Sequence, residues 1–238
     1  PSCSEAGVGS DARAPPMPAF DQLTLRTERL VLRPLRREDA PALFGIYSDP
    51  EVMRYWSGTP WPDATKAHEM IAKDATAMRD GEHVRLALAR ADDGELIGTC
   101  TLFAFNTQCR RAEVGYALAP AAWGRGYMHE ALGALLAYGF GALALNRIEA
   151  DIDPRNTASA RTLERLGFRQ EGFLRERWIV AGEVSDSYLY GLLQREWLSV
   201  IVLQGKDGAA HVRRLLVRGR GELGGLVFHQ LVHRHRVV

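Results

Sequence analysis

The stretch from Glu113 to Leu132, EVGYALAPAAWGRGYMHEAL, constrains the fold of this 238-residue chain more than any other. It places Gly124 and Gly126 between an alternating, strand-like segment and an apolar, helix-like run. Glycines at the start of a helix bring uncovered backbone N–H groups to the positive end of the helix dipole. The stretch therefore predicts a strand, a loop able to hold a phosphate or pyrophosphate, and a helix.

Strand-like and helix-like patterns alternate around this loop. The strand-like segments are residues 30–32, 83–90, 96–105, 113–119, 147–153, 168–180 and 184–193. The helix-like segments are residues 40–47, 64–78, 128–141 and 157–166. Asp39 is predicted to cap the first helix, and Asp49-Pro50 to stop it. The order predicts one α/β (α+β) domain of about seven strands and about four helices.

Composition excludes several classes of protein. The longest uncharged stretch, Ala131 to Leu145, has 15 residues, fewer than the roughly 18 to 20 that cross a membrane. Three cysteines without a CxxC pair predict neither a disulfide framework nor a zinc site, and favour a cytoplasmic protein.

The two ends of the chain differ from its middle. Residues 1–22 are small, polar and broken by prolines, and are predicted to be a disordered leader, so that the folded domain covers residues 23–200. Residues 201–238 form a tail rich in arginine and histidine. Such a tail is compatible with a nucleic-acid contact, but a solvated charged surface is the favoured interpretation. His233 and His235 lack a third ligand at recognisable spacing, so no metal is predicted.

Two nucleotide-binding motifs compete for the glycine loop. A Walker A loop is excluded because no GK[ST] follows the glycines. Gly124 and Gly126 match the first two glycines of a dinucleotide fingerprint, and Glu149 lies about where its ribose-binding acid would stand. His129, however, occupies the position of the third glycine. A purely structural tight turn also remains open.

A second motif, NTASARTLERLGF at Asn156 to Phe168, changes the interpretation of the loop. In this order the two motifs resemble those of the GNAT superfamily of acyl-CoA-dependent N-acetyltransferases. The opening TERLVLRPLRREDAPALFGIYSDPEVMRYW makes the chain similar to the RimJ/RimL-type branch, which acetylates protein N-terminal amines and other small amines. The resemblance covers Leu25 to Trp197. It implies a mixed, mostly antiparallel sheet that splays at the cofactor site.

The resemblance also implies a site that uses acetyl-CoA as cosubstrate. The residues assigned to the cofactor are Leu118, Trp123, Gly124, Arg125, Gly126, Tyr127, Met128, Asn156 and Ser159. Ser159 would hydrogen-bond or protonate the leaving sulfur, although a hydroxyl in the first turn of a helix can instead satisfy a backbone N–H. Leu163 stands where many relatives carry an acidic tyrosine, and Ala121 where many carry Gln or Arg.

The acceptor amine must lose a proton, and three carboxylates are candidates to take it, either directly or through water. Glu113 and Glu149 are predicted to be catalytic on this ground, with Asp151 beside them. Tyr55, Trp56 and Trp178 are predicted to line the acceptor pocket. The expected acceptor is a protein N-terminal α-amine. A small-molecule amine and a non-catalytic acyl-CoA-binding module are the alternatives, in a monomer or homodimer without membrane contact.

Overall fold

An eight-stranded sheet runs through the protein in the order β1-β2-β3-β4-β5-β6-β8-β7. The structure is a computed structural model that describes residues 17–197. The strands are β1 Leu25–Arg26, β2 Leu30–Arg33, β3 Val84–Arg90, β4 Leu96–Asn106, β5 Arg111–Leu118, β6 Arg147–Ile152, β7 Arg169–Val180 and β8 Glu183–Leu193. Only β5 and β6 are parallel neighbours. The predicted mixed, mostly antiparallel sheet is thus confirmed, with the two-residue β1 as the strand that periodicity missed.

Helices cover both faces of the sheet. They are α1 Ala40–Tyr47, α2 Pro50–Met53, α3 Thr65–Arg79, α4 Tyr127–Gly141 and α5 Thr157–Arg165. The larger core packs α4 and α5 against one face, and the smaller core packs α1 and α2 against the other. None of the helices within residues 17–197 has the length and apolarity needed to cross a membrane.

The glycine-loop strand β5 contributes to both cores. Ala112 and Val114 are buried in the core under α4, whereas Ala117 is buried in the core under α1. Because successive side chains of a strand point to opposite faces, β5 presents one set of residues to each layer. A functional site at the end of β5 can therefore draw on both layers.

The Asp49-Pro50 pair starts a helix as well as ending one. α1 ends at Tyr47 as predicted, but the Asp49 carboxylate then accepts the backbone N–H of Glu51 at 2.8 Å. Pro50 occupies the first turn of the short α2, where its missing N–H costs nothing. The aspartate and proline that break α1 are thus also the start signals of α2, which the sequence analysis missed.

Asp39 occupies the N-cap position of α1 as predicted, but its side chain makes no capping hydrogen bond to that helix. A 3-10 turn, Arg37–Asp39, precedes the helix, and the Asp39 carboxylate turns back to accept the backbone N–H of Arg36 at 2.7 Å. Its two oxygens also accept from the Arg33 guanidinium at 2.7 and 2.8 Å. This pair, with Asp39 only 5% exposed, fastens the start of α1 to the end of β2.

The folded domain begins before the predicted boundary at residue 23. Phe20 is completely buried, packs against Phe105 with ring centroids 5.9 Å apart, and donates its backbone N–H to the Met78 carbonyl at 2.7 Å. Residues 17–22 therefore belong to the domain rather than to the leader. The remainder of the leader and the tail, with His233 and His235, lie outside the described residues.

Replacing Asp39 with alanine should lower the free energy of unfolding by about 3 kcal/mol, because it leaves the largely buried Arg33 guanidinium without its partner. Urea denaturation measures the change. Asp92→Ala is the control, since the Asp92 side chain is 74% exposed and lies 3.6 Å from Arg90. Equal stability of the two variants would contradict the anchoring role of Asp39.

Candidate active site

A wedge opens between β5 and β6. Their parallel pairing is limited to Arg111 with Arg147, Ala112 with Ile148 and Glu113 with Glu149. Beyond these pairs β5 continues along β4, and β6 continues along β8. The facing edges of residues 114–118 and 150–152 thus offer backbone N–H and C=O groups to a ligand. The predicted splay lies at this point.

The glycine loop closes one end of the wedge. Gly126, with a φ of 78°, is the N-cap of α4, and no side chain caps this helix. The N–H groups of the first turn, including those of Tyr127 and Met128, therefore have no partner within the helix. Trp123 differs, because its backbone N–H donates to the Pro120 carbonyl at 3.0 Å. The loop therefore offers free N–H groups that fit an anion such as pyrophosphate, whereas the backbone N–H of Trp123 is already occupied.

Arg29 holds the glycine loop in place through its guanidinium group. Its guanidinium donates to the carbonyl of Arg125 at 2.9 Å and to the carboxylate of Glu130 at 2.6 Å. It also lies 4.6 Å from the centre of the Tyr127 ring. These contacts span about a hundred positions in the chain, so no local motif could reveal them.

Leu118 lies where β5 reaches the loop. Its carbonyl accepts a hydrogen bond from the indole N–H of Trp123 at 2.8 Å. The Trp123 residue is 47% exposed. Leu118 and Trp123 are therefore brought together at the mouth of the wedge.

Asn156 and Ser159 lie on the other arm of the wedge, at the start of α5. The Asn156 side-chain oxygen accepts the backbone N–H of Ser159 at 3.1 Å and caps the helix. The Ser159 hydroxyl lies 2.5 Å from the hydroxyl of Tyr116, a β5 residue that sequence analysis missed. Burial raises the pKa of Tyr116 to about 12, partly offset by this hydrogen bond. Leu163 is fully buried and offers no acid.

The predicted carboxylates gather on the opposite face of the wedge and are not equivalent. The two oxygens of Glu149 accept from the Arg111 and Arg147 guanidinium groups, each at 2.7 Å. The Glu113 side chain makes no hydrogen bond or ion pair within residues 17–197. Burial raises the pKa of Glu113 above its ordinary value, and the charges of Glu149 and Asp151 raise it further. Of the two predicted bases, Glu113 is thus the one free to take a proton.

The predicted acceptor aromatics divide into two groups. Trp56 packs edge-on against Tyr47, 5.4 Å between ring centroids, and joins the smaller core. Trp178 is 40% exposed, and its indole nitrogen lies 3.5 Å from Asp151. Tyr55 lies beneath the Arg155 guanidinium at 5.7 Å. Trp178 and Tyr55 therefore remain candidates for acceptor contact, whereas Trp56 is largely occupied by packing.

Arg155 joins three elements of the fold through its guanidinium group. Its guanidinium donates to Asp153 in a fork at 2.6 and 2.9 Å, and to Glu183 at 2.7 Å. Glu183 begins β8, and Tyr55 follows α2. One arginine thus links the start of β8, the end of β6 and the segment after α2.

Comparison with known proteins finds a family whose model matches more than half of the chain. The family model described as acetyltransferase (GNAT) domain matches residues 29–169. An uncharacterized N-acetyltransferase, p20 of Bacillus licheniformis, is 41% identical over 174 residues, which cover 73% of this chain and 98% of the relative.

Two solved structures with coenzyme A are similar as well. RimJ of Mycobacterium smegmatis in complex with CoA-disulfide has a TM-score of 0.69 and 26% identity, covering 79% of this chain and 97% of RimJ. Spermidine N-acetyltransferase of Vibrio cholerae, in complex with CoA and spermine, has a TM-score of 0.64 and 27% identity, covering 71% of this chain and 98% of that chain.

Replacing Gly126 with valine should weaken coenzyme A binding at least about tenfold, because a branched side chain there strains the loop and crowds the anion. Isothermal titration calorimetry measures the affinity. Gly94→Val is a matched control, since Gly94 has a φ of 77° against 78° for Gly126 but lies in the β3–β4 turn. Undiminished binding by the Gly126 variant, or an equal loss in both, would contradict the loop assignment.

Proposed function

The chain belongs to the acetyltransferase (GNAT) family, and we propose that it transfers an acetyl group from acetyl-CoA to the α-amine of a protein N-terminus. Acetyl-CoA-dependent N-acetyl transfer is the activity that the family and the named relatives support. The proposal adds the acceptor and a direct attack of the amine on the thioester in a ternary complex. The observation that carries it is the wedge, which has a backbone cradle on one face and a free carboxylate on the other.

On the cofactor side, the residues act by binding and orientation. The first-turn N–H groups of α4 bind the pyrophosphate, and Arg125 adds a charge-assisted contact. The backbone of Leu118 and the amide of Asn156 hold the pantetheine arm. When bound, acetyl-CoA supplies the acetyl group as an activated thioester. A backbone N–H of β5 at Leu118 is placed to stabilise negative charge on the thioester oxygen.

On the acceptor side, Glu113 takes the proton from the attacking amine. A carboxylate with a raised pKa is a better base than an ordinary one. Its position beside Asp151 puts it on the face that Trp178 borders. Glu149 is paired with two arginines, which offset its charge, so it orients this face and does not accept the proton.

An α-amine suits a site with one modest base. An α-amine of pKa about 8 is roughly a tenth neutral at pH 7, whereas a lysine amine of pKa about 10.4 is neutral less than about a thousandth of the time. The similarity to RimJ supports the same acceptor class. A chain end also fits an open face bordered by the exposed Trp178.

A small cationic amine is the second candidate, favoured by the unpaired carboxylate of Glu113, which would attract an ammonium group. The other two carboxylates already have partners, because Glu149 pairs with two arginines and Asp151 lies 3.5 Å from Arg177. The similarity to a spermidine N-acetyltransferase supports this alternative. A non-catalytic acyl-CoA-binding module is the third, and it predicts binding without turnover.

An acceptor panel tests the proposal directly. The protein is incubated with acetyl-CoA and short peptides of varied first residue, matched N-terminally blocked peptides containing lysine, and polyamines, and thiol release is measured. We expect release with free peptide N-termini and little with blocked ones. Release with polyamines alone would overturn the acceptor assignment, and coenzyme A binding without release from any amine would favour the module.

Glu113→Gln should lower kcat/KM about a hundredfold, because the base is lost, and should remove the ionisation of Glu113 from the acidic limb of the pH profile, leaving the ionisation of the acceptor α-amine near about pH 8. Activity requires ionised Glu113, so the wild-type rate falls as pH drops through its raised pKa. Asp151→Asn removes one charge that raises this pKa, and should shift the limb to lower pH. If the acidic limb of the pH profile is unchanged in both variants, water or another group, and not Glu113, takes the proton of the attacking amine.

A further inference from the structure

Tyr116 and Ser159 bridge the two arms of the wedge with their hydroxyl groups. Tyr116 lies in the part of β5 that no longer pairs with β6, and Ser159 lies in the first turn of α5, which follows β6. Their oxygens are 2.5 Å apart. The Ser159 backbone N–H donates to the Asn156 side-chain oxygen, which holds the serine in place. The contact thus fixes one hydroxyl of each arm against the other.

The chemistry of the two hydroxyls sets the direction of the hydrogen bond. A phenol is a stronger acid than an aliphatic alcohol, so Tyr116 is the better donor and Ser159 the better acceptor. Burial holds the pKa of Tyr116 at about 12, and its proton is therefore present at neutral pH. A serine hydroxyl has one hydrogen and two acceptor positions, so accepting from Tyr116 leaves its own hydrogen available.

We propose that Tyr116 is a positioning residue for acetyl transfer, donating to the Ser159 oxygen so that the Ser159 hydrogen points at the departing sulfur. This inference rests on the proposed function, in which Ser159 lies against the thioester. As the carbon–sulfur bond breaks, its electron pair stays on sulfur and accepts a hydrogen bond from Ser159. The attacking nitrogen releases the balancing proton, so both hydroxyls keep theirs.

The two hydroxyl groups can stabilise the leaving sulfur without an acidic side chain at position 163, which is a leucine here. Leu163 is fully buried in the core under α4 and donates nothing. A pair of linked hydroxyls can stabilise a thiolate without being acidic, because hydrogen bonds to charged groups contribute about 1.5–3 kcal/mol. Tyr116 and Ser159 supply such a pair from residues outside that position.

The first experiment needs no acceptor. Calorimetry compares the binding of coenzyme A and of desulfo-coenzyme A, which lacks the sulfur, over a pH series that spans the ionisation of the coenzyme A thiol. We expect the wild-type protein to prefer the thiolate about tenfold, and Tyr116→Phe to lose most of that preference. Tyr138→Phe is the matched control, because Tyr138 is a buried tyrosine of α4 in the same core. It should keep the preference.

The second experiment measures turnover at saturating substrates. Tyr116→Phe should lower kcat about tenfold or more while leaving both KM values within about threefold, since the lost hydrogen bond forms to developing charge. Ser159→Ala should act likewise, and the double variant should lose no more than Ser159→Ala alone. Independent, multiplying losses, or an unchanged kcat together with an unchanged thiolate preference in Tyr116→Phe, would overturn the proposal.

The experiments distinguish a failure of the proposed function from a failure of the role proposed for Tyr116. If polyamines rather than peptides are acetylated, the acceptor assignment fails, and the same variants are compared with the polyamine. If no amine is acetylated, the proposed function fails, and the thiolate preference still decides the role of Tyr116. Thermal unfolding of Tyr116→Phe within a few degrees of Tyr138→Phe excludes a general packing defect.

Discussion

The early parting of β5 and β6 is the constraint on which the active site depends. Parallel pairing ends at Glu113 and Glu149, and unpaired strand edges inside a protein are costly unless something satisfies them. Here each strand stays rigid because its outer edge remains paired, β5 with β4 and β6 with β8. The facing edges of β5 and β6 therefore stay unpaired while each strand remains fixed in the sheet. A ligand with amide groups can complete them as an added strand would.

Successive side chains of β5 point to opposite faces of the sheet, so the candidate functional residues of this strand are divided between the two faces. Along β5, Tyr116 faces α5, whereas Glu113 belongs to the face that carries Ala117 and the smaller core. Cofactor and acceptor can thus approach the same few residues from opposite sides of the sheet. A one-residue shift of β5 would exchange the two sets, so the register with β4 sets the function of each side chain.

Local patterns predicted the parts of the fold that local chemistry determines. The order of the strands and main helices, the glycine loop and the helix end at Gly141 follow from periodicity and from glycine. The predictions that failed concern side chains with more than one possible hydrogen-bond partner. The Asp39 carboxylate binds Arg33 rather than α1, and the Asp49 carboxylate caps the following helix, α2. Tyr116 was counted only as a strand residue, because its partner Ser159 is 43 positions away. Such choices depend on tertiary geometry that no sequence window contains.

The anchoring of the glycine loop by Arg29 has a thermodynamic consequence. Ordering a flexible loop on binding costs conformational entropy, but the guanidinium of Arg29 already holds the Arg125 carbonyl and Glu130 in place. The cost is therefore borne during folding, and more of the intrinsic contact energy remains as affinity. Since the anchor comes from the turn between β1 and β2, loss of these N-terminal strands would convert a rigid receptor into one that must fold around its ligand.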